Sequence, residues 1–257
     1  MPHSLKGRVA IVTGGGRGIG RAASIGLARE GAMIVATART SEEVQGTAEM
    51  IRSEGGTAVA LTGDVRKDED VTRVTKETLR LFGHIDILMN NAGIDGSSKP
   101  LVEVSEDELM EVLEVNVAGI FRFSRAVLPH MIQERSGNIV NVSSGAGIWR
   151  PGRKVRSITY TVSKFAVEGL TYAMASSLNG TGVNVNSFRP GYTKTGFQSR
   201  WTKEELLRQE EQHGEPRKPE AVIPLVVYLA ALDPGEMTGQ SIDAKEWRGG
   251  EGTASQR

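Results

Sequence analysis

Arg8-Val9-Ala10-Ile11-Val12-Thr13-Gly14-Gly15-Gly16-Arg17-Gly18-Ile19-Gly20 is the stretch from which the architecture can be read. Its first half is a short, almost continuous apolar run, the pattern of a strand buried on both faces of a parallel sheet. Its second half is a glycine-rich turn, and helical sequence follows over Arg21–Glu30. Glycines let the backbone turn tightly and approach a pyrophosphate, while a helix N-terminus offers free N–H groups and the positive end of its dipole. Flexible loops also collect glycine. Here a buried strand precedes the turn and a helix follows it, which is the context a dinucleotide site requires.

Six further apolar runs lie downstream: Ala32–Thr37, Thr57–Leu61, Ile85–Asn90, Asn138–Ser143, Val183–Phe188 and Gln240–Asp243. Between them run stripes of helical period, Val71, Val74, Thr78, Leu81 and Phe82 in one, Leu109, Val112, Leu113, Val117, Ile120 and Phe121 in another. Seven strands alternating with about six helices predict an α/β fold of βαβ units with right-handed crossovers. The expectation is a single doubly wound, Rossmann-type domain, with a parallel sheet of about seven strands and helices on both faces. It should span residues 1–248 and leave 249–257 as a polar, flexible tail.

Composition narrows the function. The 257 residues carry 31 Lys+Arg and 31 Asp+Glu, a balance that argues against a whole-surface nucleic-acid binder. With no cysteine there are no disulfides, thiolate nucleophiles or Cys-based metal sites, and four scattered histidines give no metal-ligand cluster. No apolar run approaches the ~20 residues that span a bilayer. Met1–Arg8 lacks the apolar core of a signal peptide, so a cytoplasmic location is expected.

The spacing Thr13-Gly14-x-x-x-Gly18-x-Gly20 resembles that of the short-chain dehydrogenase/reductase family, in particular its 3-oxoacyl-acyl-carrier-protein reductase-like members. The likeness continues through Asn90-Asn91-Ala92-Gly93, Asn116, Asn141-Val142-Ser143-Ser144, Tyr160-x-x-x-Lys164 and Pro190-Gly191 with Thr195, over about residues 6–243. The resemblance implies catalytic roles for Asn116, Ser144, Tyr160 and Lys164. It also implies a cofactor site built from Gly14, Arg17, Gly18, Ile19, Gly20, Arg39, Asp64, Val65, Asn91, Ala92, Gly93, Tyr160, Lys164, Pro190, Gly191, Thr193 and Thr195. Within it, Asp64 would bind the adenine edge, Asn91–Gly93 would pass under the ribose, and Thr195 would hold the nicotinamide carboxamide. A homotetramer is implied, with the Asn116 and Tyr160 helices at its interface.

Elementary chemistry bears on several of these residues independently. Tyr160 and Lys164, at i and i+4, share one helix face. An ammonium beside a phenol favours the phenolate and makes the tyrosine a usable general acid/base. Ser144 sits at the carboxyl end of its strand, the edge where open α/β sheets bind ligands. Strand alternation sends Ser143 the other way, as a structural residue. Asn116 interrupts an apolar stripe, so its amide must find partners, either as a satisfied core group or as a water-holding member of a proton relay through Lys164. Asp64 reads alternatively as a helix N-cap. About 18 residues beyond Gly20, where an acidic residue would bind ribose hydroxyls and favour NAD(H), stands Ala38, followed by Arg39. With Arg17 in the turn, two guanidiniums could hold a 2′-phosphate. NADP(H) is therefore the expected cofactor, with NAD(H) as the alternative.

Two segments depart from the resemblance. The Ser144–Tyr160 connection is a few residues longer than is usual in the family and carries Trp149, Arg150, Arg153, Lys154 and Arg156. It is either a solvated charged loop or a site attracting an anionic or carrier-linked substrate. Ala244-Lys245-Glu246-Trp247 does not match the usual apolar-Asp-Gly-Gly ending. After Thr195, Gly196–Glu215 should cover substrate, its Phe197, Trp201, Leu206 and Leu207 either lining a pocket or packing beneath the lid. The leading expectation is NADP(H)-dependent interconversion of a carbonyl and a secondary alcohol, on a small-molecule substrate and with no nucleic-acid or membrane partner. An NAD-dependent polyol or sugar dehydrogenase is the alternative enzyme, and a non-catalytic nucleotide-binding redox sensor the alternative of another class.

Overall fold

A computed structural model describes residues 4–152 and 155–249 of the chain. Its strands are Val9–Thr13 (β1), Met33–Ala38 (β2), Ala58–Thr62 (β3), Ile87–Asn90 (β4), Gly137–Val142 (β5), Val183–Arg189 (β6) and Ser241–Asp243 (β7). Each of the seven apolar runs falls on a strand, with ends shifted by at most two residues. The strands form one parallel sheet in the order β3-β2-β1-β4-β5-β6-β7. The chain changes direction across the sheet between β1 and β4, and ligands bind at such switch points.

The helices are Gly18–Arg29 (α1), Ser41–Ser53 (α2), Asp68–Phe82 (α3), Glu106–Leu113 (α4), Gly119–Gln133 (α5), Ile158–Ser177 (α6), Lys203–His213 (α7) and Ile223–Ala230 (α8). Eight α-helices among the described residues exceed the six expected, for two reasons. The lid folds its own helix, α7, and the long stripe around Asn116 is divided into α4 and α5 by a π-helical turn over Glu114–Ala118. Helix α1 also starts three residues earlier than its sequence suggested, inside the glycine-rich turn.

Successive strand residues point to opposite faces and fill two cores. Ala10 and Val12 of β1 join Ile34 and Ala36 of β2 in a layer closed by α1, α2 and α8. Ile11 and Val35 face the other layer, closed by α3, α5 and α6. Buried asparagines stitch the sheet from within. Asn184 donates to Asn138 Oδ1 (2.9 Å), and Asn138 donates to the carbonyls of Ala230 and Leu232 at 3.1 and 3.0 Å. Of the expected tail, only Gly249 lies within the described residues, as do neither Arg153 nor Lys154 of the basic loop. Among the described residues, no helix is long and apolar enough to cross a membrane.

Candidate active site

A cleft of about 840 Å³ runs along the carboxyl edge of the sheet, from Arg39 at one end to Tyr160 and the lid at the other. Its floor is the turn between β1 and α1. Gly14 is left-handed (φ +62°), and a Cβ there would lie 2.8 Å from Asn91 Nδ2. A Cβ on Gly20 would come within 2.2 Å of the Gly14 carbonyl oxygen. The Asn91 side chain donates to the carbonyls of Thr13 (2.9 Å) and Gly14 (3.1 Å), so it braces the turn. Thr13 Oγ1 in turn accepts from the backbone N–H groups of Asn91 (3.0 Å) and Ala92 (3.1 Å). Arg17 at the N-cap gives no side-chain bond to the first amides of α1, and Ile19 and Gly20 lie in that first turn. This bare, closely approached backbone at a helix N-terminus fits a pyrophosphate, and the cleft is large enough for a dinucleotide.

At the Arg39 end, Arg17, Ala38, Arg39, Asp64 and Val65 border the same cleft. The Arg66 guanidinium grips Asp64 through paired bonds of 3.0 and 2.6 Å and holds its carboxyl below the usual carboxylate range. Glu43, in the first turn of α2, lies 3.7 Å from Arg17. Neither Arg66 nor Glu43 was anticipated, because each is a surface charge until the fold brings it to the cleft. Arg17 also lies over Gly196, where a Cβ would come within 2.9 Å of its Cζ.

At the other end, Ser157 caps α6 by accepting from the Tyr160 N–H (3.2 Å), which fixes the first turn of the helix. Lys164 is buried and donates to the Val142 carbonyl (2.8 Å), with Nζ 5.5 Å from the centre of the Tyr160 ring. Burial lowers its pKa from 10.5 to about 8, opposed by the carboxylates of Glu168 and Asp95. Ser143 is buried and Ser144 half-buried, and both border the cleft. The Ser144 hydroxyl accepts from Ala146 N–H (3.1 Å) and closes a short turn. The π turn carries Asn116, fully buried, whose Nδ2 donates to Ile94 O (2.9 Å) and Ser163 Oγ (3.0 Å). Its amide is thus a satisfied group.

Gly93, Pro190, Gly191, Thr193 and Thr195 also border the cleft. The Thr193 hydroxyl bonds the carbonyls of Pro190 and Gly191 (both 3.3 Å) and closes its own turn. Thr195 caps the short turn Gly196–Arg200 in a reciprocal box with Gln198. Of the two readings of the lid aromatics, the structure favours the pocket lining. Phe197 packs edge-on against Tyr160 (5.9 Å), and Trp201 stacks on Tyr192 (6.3 Å, 7°), all lining the cleft, whereas Leu207 is exposed.

The basic loop is tied down at both described arginines beyond Trp149. Arg156 pairs with Asp95, lies 3.7 Å from Glu205 of α7, and sits 4.7 Å above the Trp201 ring. Trp201 Nε1 donates to Asp95 (2.8 Å). Burial pushes the Asp95 carboxyl up despite Arg156 and Trp201. Arg150 pairs with Asp243 of β7 (3.6 Å). Asp95 is 61 positions from Arg156, and nothing local in the sequence announces the pair.

Residues 8–206 match the family profile described as short chain dehydrogenase. The chain belongs to that family. Family relatives agree over nearly the whole length. A 3-oxoacyl-[acyl-carrier-protein] reductase of Thermotoga maritima is 32% identical over 241 residues, covering 93% of this chain and 96% of the relative. Among solved family structures, a Beutenbergia cavernae protein assigned as a candidate NAD(P)-dependent gluconate 5-dehydrogenase, with NADP bound at low occupancy, superposes with a TM-score of 0.85. It is 37% identical and covers 95% of this chain and 97% of its own. Levodione reductase superposes with a TM-score of 0.86 at 25% identity, over 95% and 100% of the two chains. The chain is therefore an oxidoreductase of the short-chain dehydrogenase family, whose members use NAD(P)(H) on alcohol and carbonyl groups.

Proposed function

We propose that the protein reduces a ketone or 3-oxoacyl-type carbonyl to a secondary alcohol, and runs the reverse oxidation, with NADP(H) as cofactor. The observation that carries this reading is the facing of Tyr160 and Lys164 into one cleft with Ser144 at the end of β5. When bound, the nicotinamide supplies or accepts the hydride. Tyr160 gives its hydroxyl proton to the substrate oxygen as charge develops there, and Ser144 donates a hydrogen bond to the same oxygen. Lys164 has three N–H donors and spends one on Val142, leaving two for the Tyr160 hydroxyl and the cofactor ribose. Because the Asn116 amide is spent on Ile94 and Ser163, its part in a proton relay falls to its backbone carbonyl in the π turn. The nicotinamide end is held by the Pro190–Gly191 turn and Thr195, the pyrophosphate by Gly14–Gly20, the adenine by Asp64 and Val65, and a 2′-phosphate by Arg17 and Arg39.

An NAD(P)-linked sugar or polyol substrate is the second reading. It draws on the 37% identity to the Beutenbergia cavernae protein and on the polar mouth, where Asp95, Gln209, Gln212 and His213 border the cleft. The redox-sensor alternative has less support, since Tyr160 and Lys164 are both present. We also propose a homotetramer. Helix α6 exposes Val162, Phe165 and Tyr172, and α5 exposes Phe121 and Ile132, apolar surface on the two helices expected at the interface.

The test is a panel of ketones, aldehydes, sugar acids and 3-oxoacyl thioesters read by NADPH absorbance, repeated with Tyr160→Phe. The expected result is turnover by the wild type, and a loss of at least ~100-fold in the variant with NADPH affinity nearly unchanged. A variant that keeps more than about a tenth of the rate removes Tyr160 from its role.

A further inference from the structure

The substrate end of the cleft is electrically lopsided. On the side of the lid, Arg156 faces two carboxylates, Asp95 and Glu205. Three other cations, from three segments, border the same cleft: Arg150 in the β5–α6 connection, Arg189 at the end of β6, and Lys245 just after β7. The one acidic group among them is Asp243. Its Oδ2 lies 3.6 Å from Arg150 and 3.8 Å from Arg189, and its Oδ1 accepts from the Lys245 backbone N–H (2.9 Å). One carboxylate thus serves two guanidiniums, and the Lys245 ammonium makes no ion pair among the described residues.

The placement of Lys245 depends on its neighbour. Gly191 is left-handed (φ +75°), and a Cβ there would lie 2.8 Å from Lys245 Cε and 3.3 Å from its Cγ. The lysine stem therefore crosses the Pro190–Gly191 turn and carries its charge into the cleft. Behind it, Trp247 packs on Tyr228 (5.6 Å) and anchors the segment to the core. The departure from the family's usual ending thus has a definite result, a cation brought over the turn that borders the nicotinamide end. Arg189 is about nine-tenths buried, with NH1 bonded to Ser241 and Nε bearing no hydrogen bond, so its charge acts on the cleft with little screening. Arg150 and Lys245 are exposed enough to touch a ligand.

We propose that Arg150 and Lys245, backed by the field of Arg189, receive an anionic group carried by the substrate at a distance from its reacting carbonyl. The proposal rests on the carbonyl-reductase reading and names its substrate class. The Arg156 charge, by contrast, is held by Asp95 and Glu205, so the anionic end is drawn to this cluster and the asymmetry also orients the substrate. A carboxylate on a small oxo acid and a phosphate on a carrier-linked thioester both supply this chemistry.

The experiment compares charge-matched pairs on the wild type, Lys245→Gln and the double variant Arg150→Gln/Lys245→Gln. Levulinate is set against methyl levulinate for a carboxylate source, and acetoacetyl-CoA against acetoacetyl-pantetheine for a phosphate source. At least ~10-fold higher kcat/KM for the anion of either pair is expected, falling several-fold in Lys245→Gln and lost in the double variant, with the neutral partner unaffected. Equal kcat/KM within both pairs, or a preference that survives both substitutions, overturns the anion site. Binding is read separately by saturation-transfer NMR of levulinate and of CoA on the NADP+-saturated protein. A signal lost in the double variant supports the site even if no compound turns over, a result that would count against the reductase reading alone. Signals equal in wild type and double variant overturn the site while leaving that reading standing.

Discussion

Asn116 holds both backbone polar groups of Ile94 with one side chain, accepting from its N–H at 2.8 Å and donating to its carbonyl at 2.9 Å. The loop after β4 is thereby clamped to the π turn. Asn116→Ala would leave these two groups and Ser163 Oγ without that partner. A loss of about 1–3 kcal/mol in urea-unfolding free energy is expected. Asn116→Asp keeps the acceptor but sets a carboxylate against the Ile94 carbonyl, and should be no better. Unfolding midpoints equal to wild type would show that the clamp carries no energy.

Lys164 gives a pH dependence whose sign is fixed. Its pKa is about 8 in the fold against 10.5 for the free side chain. Below pH 8 both states hold the proton, and burying the charge costs the fold its full amount. Between 8 and 10.5 only the unfolded chain stays protonated, so this group makes the fold more stable as pH rises. In the protein without nucleotide, Lys164→Met should therefore be the more stable form at pH 7, and its advantage should close towards pH 10.5. Each unit of displacement is worth about 1.4 kcal/mol. Urea titrations of both proteins at pH 7, 8, 9 and 10 would read the gap, and a gap independent of pH would refute the assignment.

On the proposed NADP(H) reading, nucleotide choice turns on three residues at the Arg39 end of the cleft. Ala38 leaves room for a 2′-phosphate, Arg39 borders the cleft, and Arg17 is partly drawn off by Glu43 at 3.7 Å. NADPH should be preferred over NADH by at least about tenfold in kcat/KM, which needs only ~1.4 kcal/mol. Ala38→Asp with Arg39→Leu should invert the preference. Glu43→Gln should raise kcat/KM for NADPH a few-fold by freeing Arg17. Equal use of NADH by the wild type would show that the phosphate site has been misread.

Gly20→Ala tests the cradle itself. The added methyl meets the Gly14 carbonyl oxygen at 2.2 Å and Asn91 Nδ2 at 2.5 Å, and neither can yield without moving the turn. Destabilisation of about 1–3 kcal/mol is expected, together with at least a tenfold weaker nucleotide affinity by fluorescence titration. Unchanged affinity would mean that the turn does not touch the nucleotide.

Assembly is tested by light scattering at micromolar concentration, where a particle of four times 27.7 kDa is expected. Tyr172, 71% exposed in the isolated chain, and Phe165 should be protected in it. Phe165→Glu with Tyr172→Glu should yield smaller particles. A wild-type particle of 27.7 kDa would end the tetramer proposal.

Much of this architecture was legible because it is local. Strand, glycine turn and helix adjoin in sequence at Arg8–Gly20, and the seven apolar runs mark the strands to within two residues. Tyr160 and Lys164 were legible for the same reason, being one helical turn apart. The groups that shape the mouth were not. Asp95 meets Arg156, and Gly191 meets Lys245, only after distant segments converge, and a charged residue alone gives no sign of its partner. Glu43 was invisible as a neighbour of Arg17 until α2 set it beside the turn.

The π turn has a consequence for helix phase. Val112, Asn116, Ile120, Phe123, Val127 and Met131 are all buried along one side of α4 and α5. Five ideal turns use about 18 residues, yet Val112 and Met131 are 19 positions apart. The surplus residue is absorbed between Glu114 and Ala118, where the backbone bonds reach one residue further. Removing one residue from that turn would restore ideal winding and rotate one half of the helix about 100° against the other. Either the Val112 side or the Phe123–Met131 side would then leave the core, and Asn116 would swing away from Ile94. The chain can therefore tolerate many substitutions in this segment more readily than a single deletion.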